Sequence, residues 1–130
     1  MLTKTGNVGI GTENPTEKLE VSGNIKASGT VSQGSSREFK KNISSVSTKD
    51  AIKALNKLNP VRFEYKTDDS GEKHIGFIAE DVPELVAEKD RKHLNAMDIT
   101  AVCVKVIQEQ QRVIQEQQKR IENLEKSIGL

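Results

Sequence analysis

Residues 106–126 read VIQEQQRVIQEQQKRIENLEK, and isoleucine returns at every seventh place. Ile107, Ile114, Ile121 and Ile128 take heptad position a, Gln110, Gln117 and Leu124 take d, and Val106 and Val113 take g. Counting back puts Cys103 at d and Thr100 at a. A seven-residue apolar repeat keeps one seam facing its partner only when helices wind left-handedly about each other. The spacing predicts one long helix over residues 98–130, capped by Asp98, in a coiled coil. β-branched Ile at a, Gln at d and an apolar g widen the seam beyond what two strands cover, which favours a homotrimer. A surface helix packed on its own domain shows a similar stripe, but does not need glutamines in register between the isoleucines.

The composition agrees with partnership. Hydrophobic residues make up 34% of the 130, aromatics 3% and charged residues 30%, which is thin material for the core of a lone short chain. Twenty basic residues offset 19 acidic ones, so no basic excess marks a nucleic-acid partner. No apolar run approaches the ~20 residues of a membrane span. A single cysteine, Cys103, excludes an internal disulfide and reads as a small buried hydrophobe. His74 and His93 stand isolated in the sequence, so no metal site or other cofactor is expected. No signal-peptide core follows Met1, although a fragment of a longer protein would hide one.

Upstream of the heptads, residues 35–97 read as a small mixed unit. Ser47-Thr48-Lys49-Asp50 opens a helix, Ala51, Ile52, Leu55 and Leu58 share one face, and Pro60 ends it. Val61, Phe63 and Tyr65 alternate, as do Ile75 and Phe77, around the polar turn KTDDSGEK, which predicts a β-hairpin with the aromatics as its core. AEDVPELV at 79–86 suits a short helical turn, with Asp81 a candidate cap and Pro83 tolerated near its start. Residues 1–34 are rich in Gly, Ser and Thr. The apolar pairs Val8/Ile10, Leu19/Val21 and Ile25/Ala27 predict three short strands with glycine turns. Such strands bury too little alone, but three copies wound about one axis bury more; a flexible linker is the competing reading. The fold class expected is therefore α+β: a short β-strand, fibre-like segment, a helix/hairpin domain and a long helix in a trimeric coiled coil.

GSSREFKKNI, residues 34–43, lies where the strand pattern stops. A serine hydroxyl becomes a nucleophile when an amine takes its proton, and Ser-Lys pairs do this work. Ser35 and Lys40 are five residues apart, so they share neither a helix face nor one side of a strand. A turn or a second copy has to join them, and by spacing alone the pair is most simply a solvated surface.

SSREFKKNI, then LNKLNPVRFEYK, then HIGFIAEDVPELV, then the heptads, resemble the intramolecular chaperone domain of endosialidases and phage tail spikes, also a self-cleaving serine peptidase family. Ser35, Lys40, Asn42 and Ile43 fit the family's opening pattern; Ser36 stands where Asp is frequent, and Arg37 and Glu38 have exchanged charges. Residues 1–34 resemble the repetitive shaft that precedes this domain in trimeric phage and bacterial fibres. The resemblance implies that Ser35 attacks the carbonyl of Gly34 with Lys40 as general base, with Gly34 allowing a strained backbone. Asn42 and His74 are possible supporting residues. It further implies a homotrimer that registers the fibre shaft of its own chain and cuts once, on a phage tail or a bacterial surface. A trimeric cap that is never cut remains the alternative.

Overall fold

The computed structural model describes residues 1–129; residue 130, at the end of the expected coiled coil, lies outside the described residues. The chain divides into two compact units between Ile43 and Ser44. It is a mixed α and β fold, with two small sheets and a long C-terminal helix.

In the first unit, β1 (Val8–Ile10) and β2 (Leu19–Val21) pair in parallel, Val8 opposite Leu19 and Ile10 opposite Val21. Parallel strands normally need a longer crossover than the residues between these two. Glycine makes the tight path feasible. A Cβ on Gly9 would lie 2.3 Å from the Thr12 carbonyl oxygen, and one on Gly11, at φ 73°, 2.8 Å from that of Ser22. The expected third strand at Ile25 and Ala27 does not form. In one copy Ile10, Leu19 and Ile25 are exposed.

The second unit begins with α1 (Thr48–Lys57). Ser47 Oγ accepts from the Asp50 amide at 3.1 Å, as the capping pattern predicts. β3 (Val61–Phe63) and β4 (His74–Gly76) form the antiparallel hairpin. Its register pairs Ile75 with Arg62, so Ile75 points outward and is exposed. Tyr65 is also half in water, packed edge-on to Phe63 at 5.1 Å, and is not core. The expected helical turn is a single 3₁₀ turn, Glu84–Val86. Pro83, not Asp81, precedes it, because Pro83 already holds φ −65° in an extended conformation. α2 (Ala96–Ser127) is the long helix. Asn95 caps it by accepting from the Met97 amide at 2.9 Å. Asp98 instead lies in the first turn, where its charge faces the positive helix end.

The core is built from Ala51, Ala54, Val82, Val86, Val102 and Val106, with Leu55, Leu58, Phe77, Ala87, Leu94 and Ile99 packed around them. Two alanines on α1 let it lie close against α2. Ile52, expected on the buried face, sits at its edge and is 38% exposed; Ala54 takes the inward place. Ala51→Leu should overpack this contact and destabilise the unit by about 1–3 kcal/mol, read as a lower urea midpoint with an unchanged slope.

The loop into α2 is fastened by hydrogen bonds and charged side chains. Arg91 donates to the Val82 carbonyl at 2.7 Å and pairs with Glu84. Asp90 accepts from the Lys92 amide at 2.9 Å and pairs with His93 Nδ1 at 2.5 Å. The Lys92 amide first, then the His93 ring, lower the Asp90 carboxyl from the ordinary 3.8 to about 2. A carboxyl lowered by folding stabilises the folded state above its unfolded value, and this is lost as pH falls through the folded value. Acidification from about pH 4 to 2 should therefore loosen residues 88–93. Carbon-detected NMR of the Asp90 carboxyl should titrate near pH 2, and Asp90→Asn should remove that acid transition.

Candidate active site

Residues 34–40 are shaped by one 3₁₀ turn, Arg37–Phe39. Ser36 Oγ accepts from the Glu38 amide at 3.3 Å, and the amides of Phe39 and Lys40 donate to the carbonyls of Ser36 and Arg37 at 3.1 Å each. Ser and Asp cap helical turns about equally well. An Asp at this position would make the same cap. The turn reverses the chain and brings Lys40 Nζ to Ser35 Oγ, donating a hydrogen bond at 2.7 Å. That is inside the range for proton transfer between a base and a nucleophile.

Gly34 matters for a different reason than the one expected. Its backbone is not among the left-handed glycines. The Phe39 ring folds over it instead, and a Cβ at Gly34 would lie 3.1 Å from Phe39 Cδ2. Asn42 adopts φ 54°, a left-handed conformation that Asn tolerates better than most residues. The structure thus gives Asn42 a turning role in the backbone. Ser35 and Lys40 are both exposed in the single copy.

His74 is half-buried in the hairpin, its ring 5.7 Å from that of Phe63 and 5.2 Å from that of Tyr65. It is not isolated. The loop carries Asp68 and Glu72 back to it, and the possible ligand atoms of the three lie within 4.8 Å of one another. Asp68 already accepts from the Ser70 amide at 2.9 Å, and Ser70, through its side chain first, lowers the Asp68 carboxyl. The cluster reads as a closed polar turn. Sequence reasoning missed it because the three residues meet only through the hairpin register.

The heptad residues emerge on two sides of α2. Ile107, Ile114 and Ile121 are 61%, 57% and 49% exposed, and Leu124 and Ile128 are exposed too. So are Gln110 and Gln117, while Val113 and Cys103 are half-buried. Val106, placed in the seam by the repeat, is buried in the chain's own core. Outside the seam, Arg112 grips Glu109 through two bonds of 3.0 and 2.7 Å and reaches Glu116 at 3.1 Å. These ion pairs occupy c and f, the positions a coiled coil turns to water. Among the described residues, no helix is long and apolar enough to cross a membrane.

Comparison with known proteins matches residues 35–91 to the family model described as chaperone of endosialidase, which carries a peptidase name. Residues 35–91 form a chaperone-of-endosialidase domain. The chaperone domain thus starts at the serine whose hydroxyl Lys40 holds, and it takes in α1, the hairpin and the Glu84–Val86 turn. An uncharacterized protein of Dictyostelium discoideum is 43% identical over 53 residues, 41% of this chain. The match spans 5% of that relative's length.

Proposed function

We propose that this chain is the assembly end of a homotrimeric fibre protein. The α2 helices gather three copies, the chaperone domain holds them in register, and residues 1–34, as the end of the shaft, order against one another. Strands that short have ambiguous register when unpartnered, so pre-alignment removes the main obstacle to their folding. Ser35 then severs the chain after Gly34, and the freed shaft is kinetically trapped. Such a fibre belongs on a phage tail or a bacterial surface.

The 2.7 Å bond between Lys40 Nζ and Ser35 Oγ carries the cutting step. For the step the bond turns round: Nζ accepts the hydroxyl proton through its lone pair, and Oγ attacks the Gly34 carbonyl carbon. The C–N bond to Ser35 breaks as the C–O ester forms, and the proton passes to the freed Ser35 amine. Water hydrolyses the ester, restoring the Ser35 hydroxyl and leaving a carboxylate on Gly34. The step needs no cofactor, and each chain performs it once.

Exposed apolar surface supports assembly: Ile107, Ile114 and Ile121 stand uncovered along α2. Intact-mass spectrometry of the purified chain tests the proposal. Two products, one ending at Gly34 and one beginning at Ser35, are expected from a species sedimenting as a trimer. A trimer of uncut chains would leave a permanent cap at the fibre tip, and a monomer would overturn the assembly role.

A further inference from the structure

We propose that the groove between α1 and α2 receives α2 of a second copy, so that the chaperone domain itself forms part of the trimer seam. This rests on the trimeric reading above and adds a surface to it. Ile52 and Leu55 of α1 with Val106, Gln110, Val113 and Ile114 of α2 line an open, mainly apolar groove of about 440 Å³.

Its position follows from helix geometry. Successive residues turn by about 100°, so Val102 at c and Val106 at g, both buried against α1, lie beside the a and d ridge. α1 therefore flanks the seam on its g side, and the groove lies between α1 and the ridge. In a parallel assembly the g edge of one helix faces the e edge of the next. That edge carries the uncovered Ile107 and Ile114 at a, and Gln111 and Gln118 at e, five places after Val106 and Val113, come to the groove's rim. Each copy offers a groove on one edge and an apolar ridge on the other. This is a head-to-tail contact, which closes when the rotation completes a ring.

Charge points to the same occupant and direction. Arg120 lies at g and Glu125 at e, five residues on. In parallel, in-register helices the g residue meets the partner's e residue five places later, so Arg120 of one copy meets Glu125 of the next. Both are exposed in the single copy, where Arg120 also reaches Glu116 of its own helix at 3.7 Å. An antiparallel neighbour sets g against g and loses this match.

The test is sedimentation of the full chain over a concentration series. Ile52→Glu should weaken trimer formation at least tenfold, while Ile75→Glu, the same change on the outer face of the hairpin, should leave it unchanged. Hydrogen exchange should show α1 still protected in the dissociated Ile52→Glu species; loss of protection would overturn docking as the cause. Arg120→Glu should weaken the trimer, and adding Glu125→Arg should restore it; failure to restore would overturn the parallel pairing. If Ile52→Glu stays trimeric while a charge at Ile121 dissociates the chain, the groove is not in the seam and the trimeric reading survives. A monomeric wild-type chain would sink both.

Discussion

Ser35→Ala should keep the chain whole under conditions in which the wild type separates into two pieces. The expectation is close to all or none, because the substitution removes the hydroxyl proposed to attack Gly34. Ser36 Oγ is committed to the Glu38 amide. Lys40 tests the other half of the pair. A general base is worth about 10²–10⁴ in rate, so Lys40→Ala should slow cutting by that order. Lys40→Arg is more telling. It keeps the positive charge and the ability to donate to Ser35, but a guanidinium does not give up its proton. If Lys40 only orients the hydroxyl, the arginine variant will still cut; if it is the base, that variant will be as inert as the alanine one. Timed denaturing gels with mass confirmation of the Gly34 terminus read all three. Cutting by Ser35→Ala at the wild-type rate would remove the proposed chemistry altogether.

Ile121→Asp should turn a trimer into monomers. Ile121 lies beyond the α1 groove, at an a position, and is 49% exposed in one copy. Assembly would place three carboxylates around one axis. An uncompensated charge buried in this way costs at least about 3 kcal/mol per copy, roughly a hundredfold each in the association constant. Multi-angle light scattering at micromolar concentration should give one third of the wild-type mass. Cutting should fall along with it, for a physical reason visible at the site. In a single copy Ser35 and Lys40 are exposed, whereas a nucleophile and its base act best where water is excluded from them. Undiminished cutting by a monomeric Ile121→Asp chain would separate the peptidase chemistry from assembly.

The local elements were largely legible. Ser47, Asp50 and Pro60 bracketed α1 because capping and proline exclusion act within a few residues. Alternation at 61–65 and 75–77 announced the hairpin, since a strand has a period of two. The same short-range rules misplaced the start of α2 by three residues. Asn95 and Asp98 are both good caps, and the choice between them depends on where the preceding loop is tied by Asp90 and Arg91. The rules also added a strand at Ile25 and Ala27 that has no partner in a single copy to pair with. At the site, five-residue spacing made Ser35 and Lys40 look unrelated. A capped 3₁₀ turn, shorter than periodicity can register, joins them.

By itself the sequence determined the heptad, its register along α2, the charge pattern of that helix and the order of the elements before it, because each is written in residues near one another along the chain. The tertiary structure decided what long-range packing alone decides: that Val106 leaves the seam for a core shared with α1, that Ile52 and Ile114 come to line one groove, and that Asp68, Glu72 and His74 meet. Side chains far apart in sequence acquire a common address only when the backbone between them has been fixed, and no local pattern records where that backbone goes.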